Sequence, residues 1–298
     1  MWPASVLFSL CLVLSIGAAL SAKTELEAPR EQLFFQDLAW SPDGSWIAFS
    51  RYSGGPEYLP ENWGVAIARP DGSAQETIAE NAMWVSWSPD GGRLAFSSPR
   101  EGSWDLYAVD RDGSDLIRLT THEADERAPS WSPTGREIAF TSDRDGDSEV
   151  YVLTLDEGRV RRLTHDPAPD HNPSWSPNGN GLVFYRAVEG GSADQVYWVS
   201  ADGTEERQVT RDSDLNTFPA FLDDRRVTFS KRFEGSGEER LVVLDTESSA
   251  QRLVGPEGAF FGRWSPDGSE ILFIAGEWPK ASVYSMDSDG SGVRKVLN

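Results

Sequence analysis

Residues 129–166 read PSWSPTGREIAFTSDRDGDSEVYVLTLDEGRVRRLTHD, and shorter versions of this pattern recur along the whole 298-residue chain. Four short runs within it have the composition of β-strands: PSWS (129–132), EIAFTS (137–142), EVYVLTL (149–155) and VRRLTH (160–165). The first two runs are joined by S-P-T-G, which is typical of a tight turn because Pro fixes φ and Gly accepts a left-handed backbone. The stretch therefore predicts four antiparallel strands.

An aromatic anchor marks each copy of this unit. Successive anchors lie about 45 residues apart, at Trp40, Trp87, Trp131, Trp175, Phe221 and Trp264. A period of this length is typical of solenoids, propellers and module arrays. Because each copy has four strand-like runs and no helical pattern, the sequence predicts an all-β fold, a six-bladed β-propeller of four-stranded antiparallel blades.

A four-stranded sheet is marginally stable alone, but a radial arrangement lets each sheet cover its neighbour. We expect the anchors to pack between blades together with the Phe nine residues later, at Phe49, Phe96, Phe140, Phe184 and Phe273. The fifth copy, AFLDDRRVTFS (220–230), lacks the Pro-Gly turn, and we expect a distorted turn there. The sixth blade is expected to take all four strands from the C-terminal end, without a strand from residues 23–37.

The charge of the chain excludes some partners. Asp and Glu number 48 against 27 Lys and Arg, a formal net charge of −21. Such a surface repels phosphate backbones and anionic lipid, so we expect no nucleic-acid and no membrane-surface partner. Cations, basic peptides and neutral glycans stay compatible with it.

Residues 1–22 have the layout of a signal peptide. They carry no Asp, Glu, Lys or Arg, and the apolar run VLFSLCLVLSIGAAL (6–20) is followed by small residues. We expect cleavage near Ser21 or Ala22, an uncleaved anchor being the alternative, then a lead segment over 23–37 and the propeller over 38–298. The mature chain is expected to be periplasmic or secreted, monomeric, and without a transmembrane segment. Cys11 is the single cysteine, so no disulfide is expected.

The repeat over 129–166 resembles the WD-type repeats of the TolB family, periplasmic proteins of the Tol–Pal envelope system. The resemblance covers about 38–298 and implies a six-bladed propeller that binds a lipoprotein at one open face. Members of that family carry an α/β domain ahead of the propeller, which we expect to be lacking here. Similar repeats occur in prolyl oligopeptidases and oligogalacturonate lyases, so the resemblance identifies a fold rather than a function.

The two faces of the predicted propeller differ. The face with the second-to-third loops and the blade-to-blade loops, named here the variable-loop face, is the expected binding face. The opposite face, with the first-to-second and third-to-fourth turns, is named the turn face. Near the channel mouth on the variable-loop face we expect a polar half-ring and aromatic anchors that bind a partner: Arg51, Tyr58, Trp63, Glu126, Arg127, Asp170, His171, Arg186, Asn216 and Lys231. Tyr52, Trp104 and Trp278 are further aromatic candidates there. The alternative is that the polar residues form solvated ion pairs.

We expect no cofactor, no metal and no enzymatic activity. His122, His165 and His171 are the only histidines, and DRDGD (143–147) lacks the glycine and glutamate of a calcium loop. No G-x-S-x-G sequence is present. The sequence therefore predicts an exported, non-catalytic propeller that binds an envelope protein or peptide. The alternative is a glycan or small-molecule site, possibly of a lyase, in the channel mouth around Arg127, Asp170 and His171.

Overall fold

The computed structural model of the protein describes residues 34–52, 62–187, 193–276 and 281–297. In this part of the chain the strands form six sheets, each of four antiparallel strands in sequence order. The strands of blades 1 to 3 are β1 (Phe34–Trp40), β2 (Ile47–Tyr52), β3 (Trp63–Ala68), β4 (Glu76–Glu80), β5 (Met83–Trp87), β6 (Arg93–Ser98), β7 (Asp105–Asp110), β8 (Ile117–Arg118), β9 (Glu126–Trp131), β10 (Glu137–Ser142), β11 (Glu149–Thr154) and β12 (Arg159–Arg162). The strands of blades 4 to 6 are β13 (Asp170–Trp175), β14 (Gly181–Arg186), β15 (Gln195–Ser200), β16 (Glu206–Gln208), β17 (Leu215–Phe221), β18 (Arg226–Arg232), β19 (Glu239–Asp245), β20 (Gln251–Val254), β21 (Ala259–Trp264), β22 (Glu270–Ala275), β23 (Ser282–Asp287) and β24 (Arg294–Leu297).

The predicted six-bladed propeller is confirmed. β21, β22, β23 and β24 form the sixth sheet, so this blade takes its four strands from the C-terminal end, as expected. One boundary differs: β1 begins at Phe34, so the propeller includes residues that the sequence had placed in the lead segment. The described ranges contain no helix that is long and apolar enough to cross a membrane.

The hydrophobic core lies between the blades rather than within them. Each junction between neighbouring blades has its own cluster of buried side chains. At the closing junction, Phe35 and Phe49 of blade 1 pack with Leu272 and Leu297 of blade 6. The ring therefore closes by burial of apolar surface, which is the main stabilising contribution to such contacts.

The anchor tryptophans lie at these junctions, as the sequence predicts. Trp87 packs against Ala48 and Val65 of blade 1, and its indole nitrogen donates to the carbonyl oxygen of Ala39 at 3.3 Å. The indole nitrogen of Trp40 likewise donates to the carbonyl oxygen of Arg263 in blade 6, at 3.2 Å. An indole thus joins neighbouring blades by packing and by a hydrogen bond.

The turn of the fifth copy differs from the others. In blade 1 the backbone nitrogen of Gly44, at a φ of 69°, donates to Ser41 and closes the turn. In blade 5 no glycine is present, and the Asp223 carboxylate accepts from the backbone nitrogens of both Arg225 and Arg226. In blade 1 the Asp43 carboxylate accepts from the backbone nitrogen of Ser45, so the fifth turn keeps the carboxylate and lacks the left-handed glycine.

Candidate functional site

Every innermost strand has a β-bulge at the same position, three residues before its anchor. The bulged residues are not glycines, yet their φ angles lie between 52° and 60°. They are Asp37, Trp84, Ala128, Asn172, Phe218 and Phe261. The pairing register between the first and second strand shifts at this point in all six blades. Such a bulge re-aims the side chains around it, which decides what faces the central channel.

Hydroxyl groups of neighbouring blades hold several of the bulges. The backbone nitrogen of Trp84 donates to Ser50 Oγ at 3.0 Å, and that of Phe261 donates to Ser230 Oγ at 2.9 Å. The backbone nitrogen of Asn172 donates to Thr141 at 3.1 Å. Each acceptor follows a buried phenylalanine on the second strand of the preceding blade. The bulge is therefore fixed by the assembly of the ring, since the partner lies on another blade.

A cavity of about 290 Å³ lies in the centre of the ring. It is lined by the innermost strands of all six blades, from the bulges down to Pro42 and Pro266 in the turns that follow them. Those turns lie on the turn face, so the cavity extends toward the face opposite to the predicted one. Trp40, Trp84, Trp87 and Trp264 are among the residues that line it.

Two charged side chains face this cavity, Asp37 from blade 1 and Arg263 from blade 6. Asp37 is 6% exposed, and burial raises its pKa to about 7, against the opposing charge of Arg263 and hydrogen bonds from Trp84 and Ser50. Burial also lowers the pKa of Arg263 to about 10, while Asp37 opposes that change. Sequence reasoning missed both residues. The sequence nevertheless sets Arg263 apart, because the residue directly before the anchor is Ala or Ser in the other five copies.

A row of rings lies along blades 4 to 6 at the variable-loop end of the innermost strands. The ring centres of His171 and Tyr185 are 5.3 Å apart, those of Tyr185 and Phe218 5.6 Å, and those of Phe218 and Phe261 4.4 Å. Burial and, to a smaller extent, the positive charge of Arg127 lower the pKa of His171 to about 4. This predicted site residue is therefore neutral at pH 7 and packs among aromatic rings.

Arg127 also lies in this region, where it forms an ion pair with Asp125, two residues earlier in the chain. Its Nε is buried without a hydrogen-bond partner in the described structure. The guanidinium therefore has one donor left over, and its electrostatic effect reaches His171 on the next blade. The structure thus brings these two predicted residues together.

The other predicted polar residues are buried in ion pairs, which we name the blade clamps. In blade 3, Glu126 is fully buried and pairs with Arg144, and burial raises the pKa of Glu126 to about 7. In blade 4, Asp170 is fully buried and pairs with Arg186. In blade 5, Lys231 lies 2.7 Å from Asp212 and 3.0 Å from Asp214. Asn216 donates to Asp212 at 2.8 Å and joins this clamp.

The blade clamps change the interpretation of the predicted half-ring. Glu126, Asp170 and Asn216 have no exposed surface, so they do not form an open polar rim around the channel mouth. Their side chains connect the start of the innermost strand to the second strand in blade 4 and to neighbouring loops in blades 3 and 5. A role of these residues in binding a partner stays a prediction, while the contacts assign them a structural role.

The aromatic anchors expected on the variable-loop face are buried where the structure describes them. Tyr52, Trp63 and Trp104 are 0%, 4% and 6% exposed and pack together with Met83. Blades 1 and 2 bury these side chains against each other, and a role of Trp63 in binding a partner stays a prediction. Tyr58 and Trp278 lie outside the described residues.

Arg51 does not reach the channel mouth either. Its guanidinium donates to Thr77 Oγ1 on β4, the outermost strand of blade 1. The side chain therefore extends away from the axis across its own blade. In the described ranges, no three His, Cys, Asp or Glu side chains converge as a metal site would need.

Comparison with known proteins identifies relatives of the propeller. Residues 37–193, just over half of the chain, match the TolB beta propeller domain family. A Tol-Pal system protein TolB from Anaeromyxobacter dehalogenans (strain 2CP-C) is 33% identical over 102 residues, which are 30% of this chain and 24% of that protein. The chain thus spans about a quarter of the relative that it matches.

Two solved structures share the fold. TolB from Acinetobacter baumannii superposes with a TM-score of 0.70 at 19% identity, covering 89% of this chain and 63% of that chain. An oligogalacturonate lyase in complex with manganese superposes with a TM-score of 0.64 at 14% identity, covering 88% of this chain and 76% of that chain. At these identities the likeness concerns the fold alone.

Proposed function

Since the chain belongs to the TolB β-propeller domain family, we propose that it is an exported, periplasmic propeller that binds a protein or peptide of the cell envelope and catalyses no reaction. The blade clamps are the observation that supports this function best. Buried ion pairs hold the roots of the blade-to-blade loops in three consecutive blades. A rigid scaffold that carries loops of different length and composition is the usual arrangement of a protein-binding surface.

The charge of the chain adds a property of the partner. The net charge is −21, and interfaces pair surfaces of opposite potential. We therefore expect the partner to present a basic surface, and we expect its association rate to fall as the ionic strength rises.

Site-specific photo-crosslinking in intact cells tests which face binds. A photoreactive phenylalanine analogue is placed at Glu101 and Ser236, which are exposed on the variable-loop face in blades 2 and 5. Asp112 and Ser248, exposed on the turn face of the same blades, are the matched controls. We expect one envelope protein to cross-link from the first pair and not from the second. Equal cross-linking from both faces, or none from the variable-loop face, would contradict the proposal.

The alternative, a glycan site or lyase centre around Arg127, Asp170 and His171, has less support. Both carboxylate oxygens of Asp170 accept hydrogen bonds from Arg186, so this group is not free to act as a base beside His171. The likeness to an oligogalacturonate lyase concerns the fold alone. We expect no cleavage of polygalacturonate by the wild-type protein; cleavage that is lost in His171→Ala would support the alternative instead.

A further inference from the structure

The central cavity contains one acidic and one basic side chain, which do not bind each other. Asp37 and Arg263 are the charged residues among those that line it. In the described structure no ion pair within 4.0 Å joins them, although each affects the other electrostatically. Two opposite charges therefore face the same space, separated by more than the length of a salt bridge.

Neither side chain is fully satisfied by the protein. Asp37 accepts from the backbone of Trp84 and, over a long distance of 3.5 Å, from Ser50 Oγ, and no cationic group pairs with it within 4.0 Å in the described structure. Arg263 Nη1 donates to the carbonyl oxygens of Gly262 and Phe218 at 3.0 and 3.4 Å, and no described group accepts from its Nε or Nη2. Charged groups away from bulk water are costly unless they are paired, so both groups favour a ligand that supplies the missing partners.

The rest of the lining is uncharged and mixes polar, proline and aromatic residues. Trp40, Trp84, Trp87 and Trp264 are among the lining residues, together with Asn172. At about 290 Å³ the cavity lies at the small end of the range for ligand sites. A molecule of the size of one amino acid fits that volume better than an oligosaccharide or a peptide segment.

From this arrangement we propose that the central cavity binds a small aromatic zwitterion, a molecule of the α-amino-acid class. Its ammonium group pairs with Asp37, its carboxylate accepts from the free donors of Arg263, and its ring packs on the indoles. A monovalent cation would leave Arg263 unpaired, and a monovalent anion would leave Asp37 unpaired. The net neutrality of the site therefore selects a ligand that carries both charges.

The proposal is independent of the proposed partner binding. The cavity extends toward Pro42 and Pro266 on the turn face, whereas the partner is proposed to bind the variable-loop face. A ligand can thus enter while the other face is occupied, and either proposal can fail without the other.

Isothermal titration calorimetry with three matched probes tests the site on the purified mature chain. The probes are L-phenylalanine, 2-phenylethylamine, which lacks the carboxylate, and 3-phenylpropionate, which lacks the ammonium group. We expect L-phenylalanine to bind about tenfold or more tightly than either probe, because each loses one charge-assisted interaction. Quenching of tryptophan fluorescence gives a second signal, since four tryptophans are among the lining residues.

Two substitutions assign the charges to residues. Asp37→Asn is expected to weaken L-phenylalanine and 2-phenylethylamine while leaving 3-phenylpropionate unchanged or tighter. Arg263→Gln is expected to weaken L-phenylalanine and 3-phenylpropionate and to spare 2-phenylethylamine. Loss of fold would weaken all three probes, so this crossed pattern distinguishes binding from instability. Arg263→Met, which also removes the charge, replaces Arg263→Gln if the latter does not fold.

Asp115→Asn, in an exposed ion pair on blade 2, is the control and should bind as the wild type does. Three outcomes would each overturn the proposal. They are equal affinity for the three probes, no binding of L-phenylalanine at millimolar concentration, and identical behaviour of the two cavity variants.

Discussion

The guanidinium of Arg186 holds both carboxylate oxygens of Asp170, with Nε 2.6 Å from Oδ1 and Nη2 2.8 Å from Oδ2. Its Nη1 continues to Glu206 in the outermost strand at 2.6 Å, and the group lies 4.5 Å from the ring centre of Tyr197. One side chain on the second strand thus connects the innermost and outermost strands of blade 4. We therefore expect blade 4 to depend on Arg186 more than on an ordinary surface ion pair.

Replacing Arg186 by Met is therefore expected to destabilise the protein strongly. The change leaves the buried Asp170 carboxylate without its partner, which typically costs about 3–5 kcal/mol. The free energy of unfolding in urea measures the effect. Arg225→Met, which breaks an exposed pair with Asp245, is the control and should change little. Equal effects of the two substitutions would show that the clamp contributes no more than a surface pair.

The hydroxyl that supports the bulge at Phe261 is expected to matter more than its counterpart in blade 2. Ser230→Ala leaves the buried backbone N–H of Phe261 without an acceptor, which costs about 1–3 kcal/mol. Ser97 occupies the equivalent position, and its hydroxyl is buried without a partner in the described structure. Ser97→Ala should be neutral or slightly stabilising. Thermal unfolding of both variants checks the difference, and a larger loss in Ser97→Ala would contradict it.

Trp87→Ala is expected to open a void between blades 1 and 2. The indole is 6% exposed, and truncating a buried Trp costs about 3–5 kcal/mol. Trp131→Ala should cost less, because that side chain is half-buried. Leu116→Ala, at a side chain 45% exposed, is the control. Urea midpoints of the three variants should follow this order, and a midpoint of Trp87→Ala close to that of the wild type would contradict the packing of this indole between blades 1 and 2.

Asp37 is expected to make stability fall as the pH rises. Its pKa in the folded protein, about 7, lies above the ordinary value of 3.8. Its contribution to stability is therefore fully present when the pH is below 3.8, and it is lost as the pH rises through about 7. Asp37→Asn should thus lose less stability than the wild type between pH 5 and pH 8, as thermal unfolding at both values would show. Parallel loss in the two proteins would mean that Asp37 is not held away from water.

The pKa of His171 shifts in the opposite direction to that of Asp37, so its effect on stability has the opposite dependence on pH. Its pKa in the folded protein, about 4, lies below the ordinary value of 6.5. The neutral imidazole therefore contributes to the stability of the folded protein when the pH is above 6.5, and this contribution is lost as the pH falls through about 4. His171→Gln should therefore reduce the loss of stability on the acid side, below pH 6. A greater acid sensitivity of this variant would contradict the burial of a neutral imidazole.

Much of the fold follows from local patterns in the sequence, and much of the candidate site does not. Trp87 and Phe96 are buried where their spacing predicts, because a repeating unit has to bury the same face against each neighbour. Asp170 illustrates the opposite case. Its position before the anchor suggests an exposed rim residue, but the pairing with Arg186 depends on the register between β13 and β14. Trp63 is a similar case, since the sequence predicts an aromatic anchor for a partner, whereas the packing of Met83 and Trp104 from blade 2 buries its side chain.

By itself, then, the sequence determined the number of blades, the strands within each and the residues between them, since these follow from short-range alternation and from a repeat that stacks on itself. The tertiary structure alone decided what faces the channel. A bulge at the same position in six strands turns the chain, and hydroxyls of neighbouring blades hold some of those bulges. Asp37 and Arg263 meet at one cavity because the first and last blades become neighbours only when the ring closes.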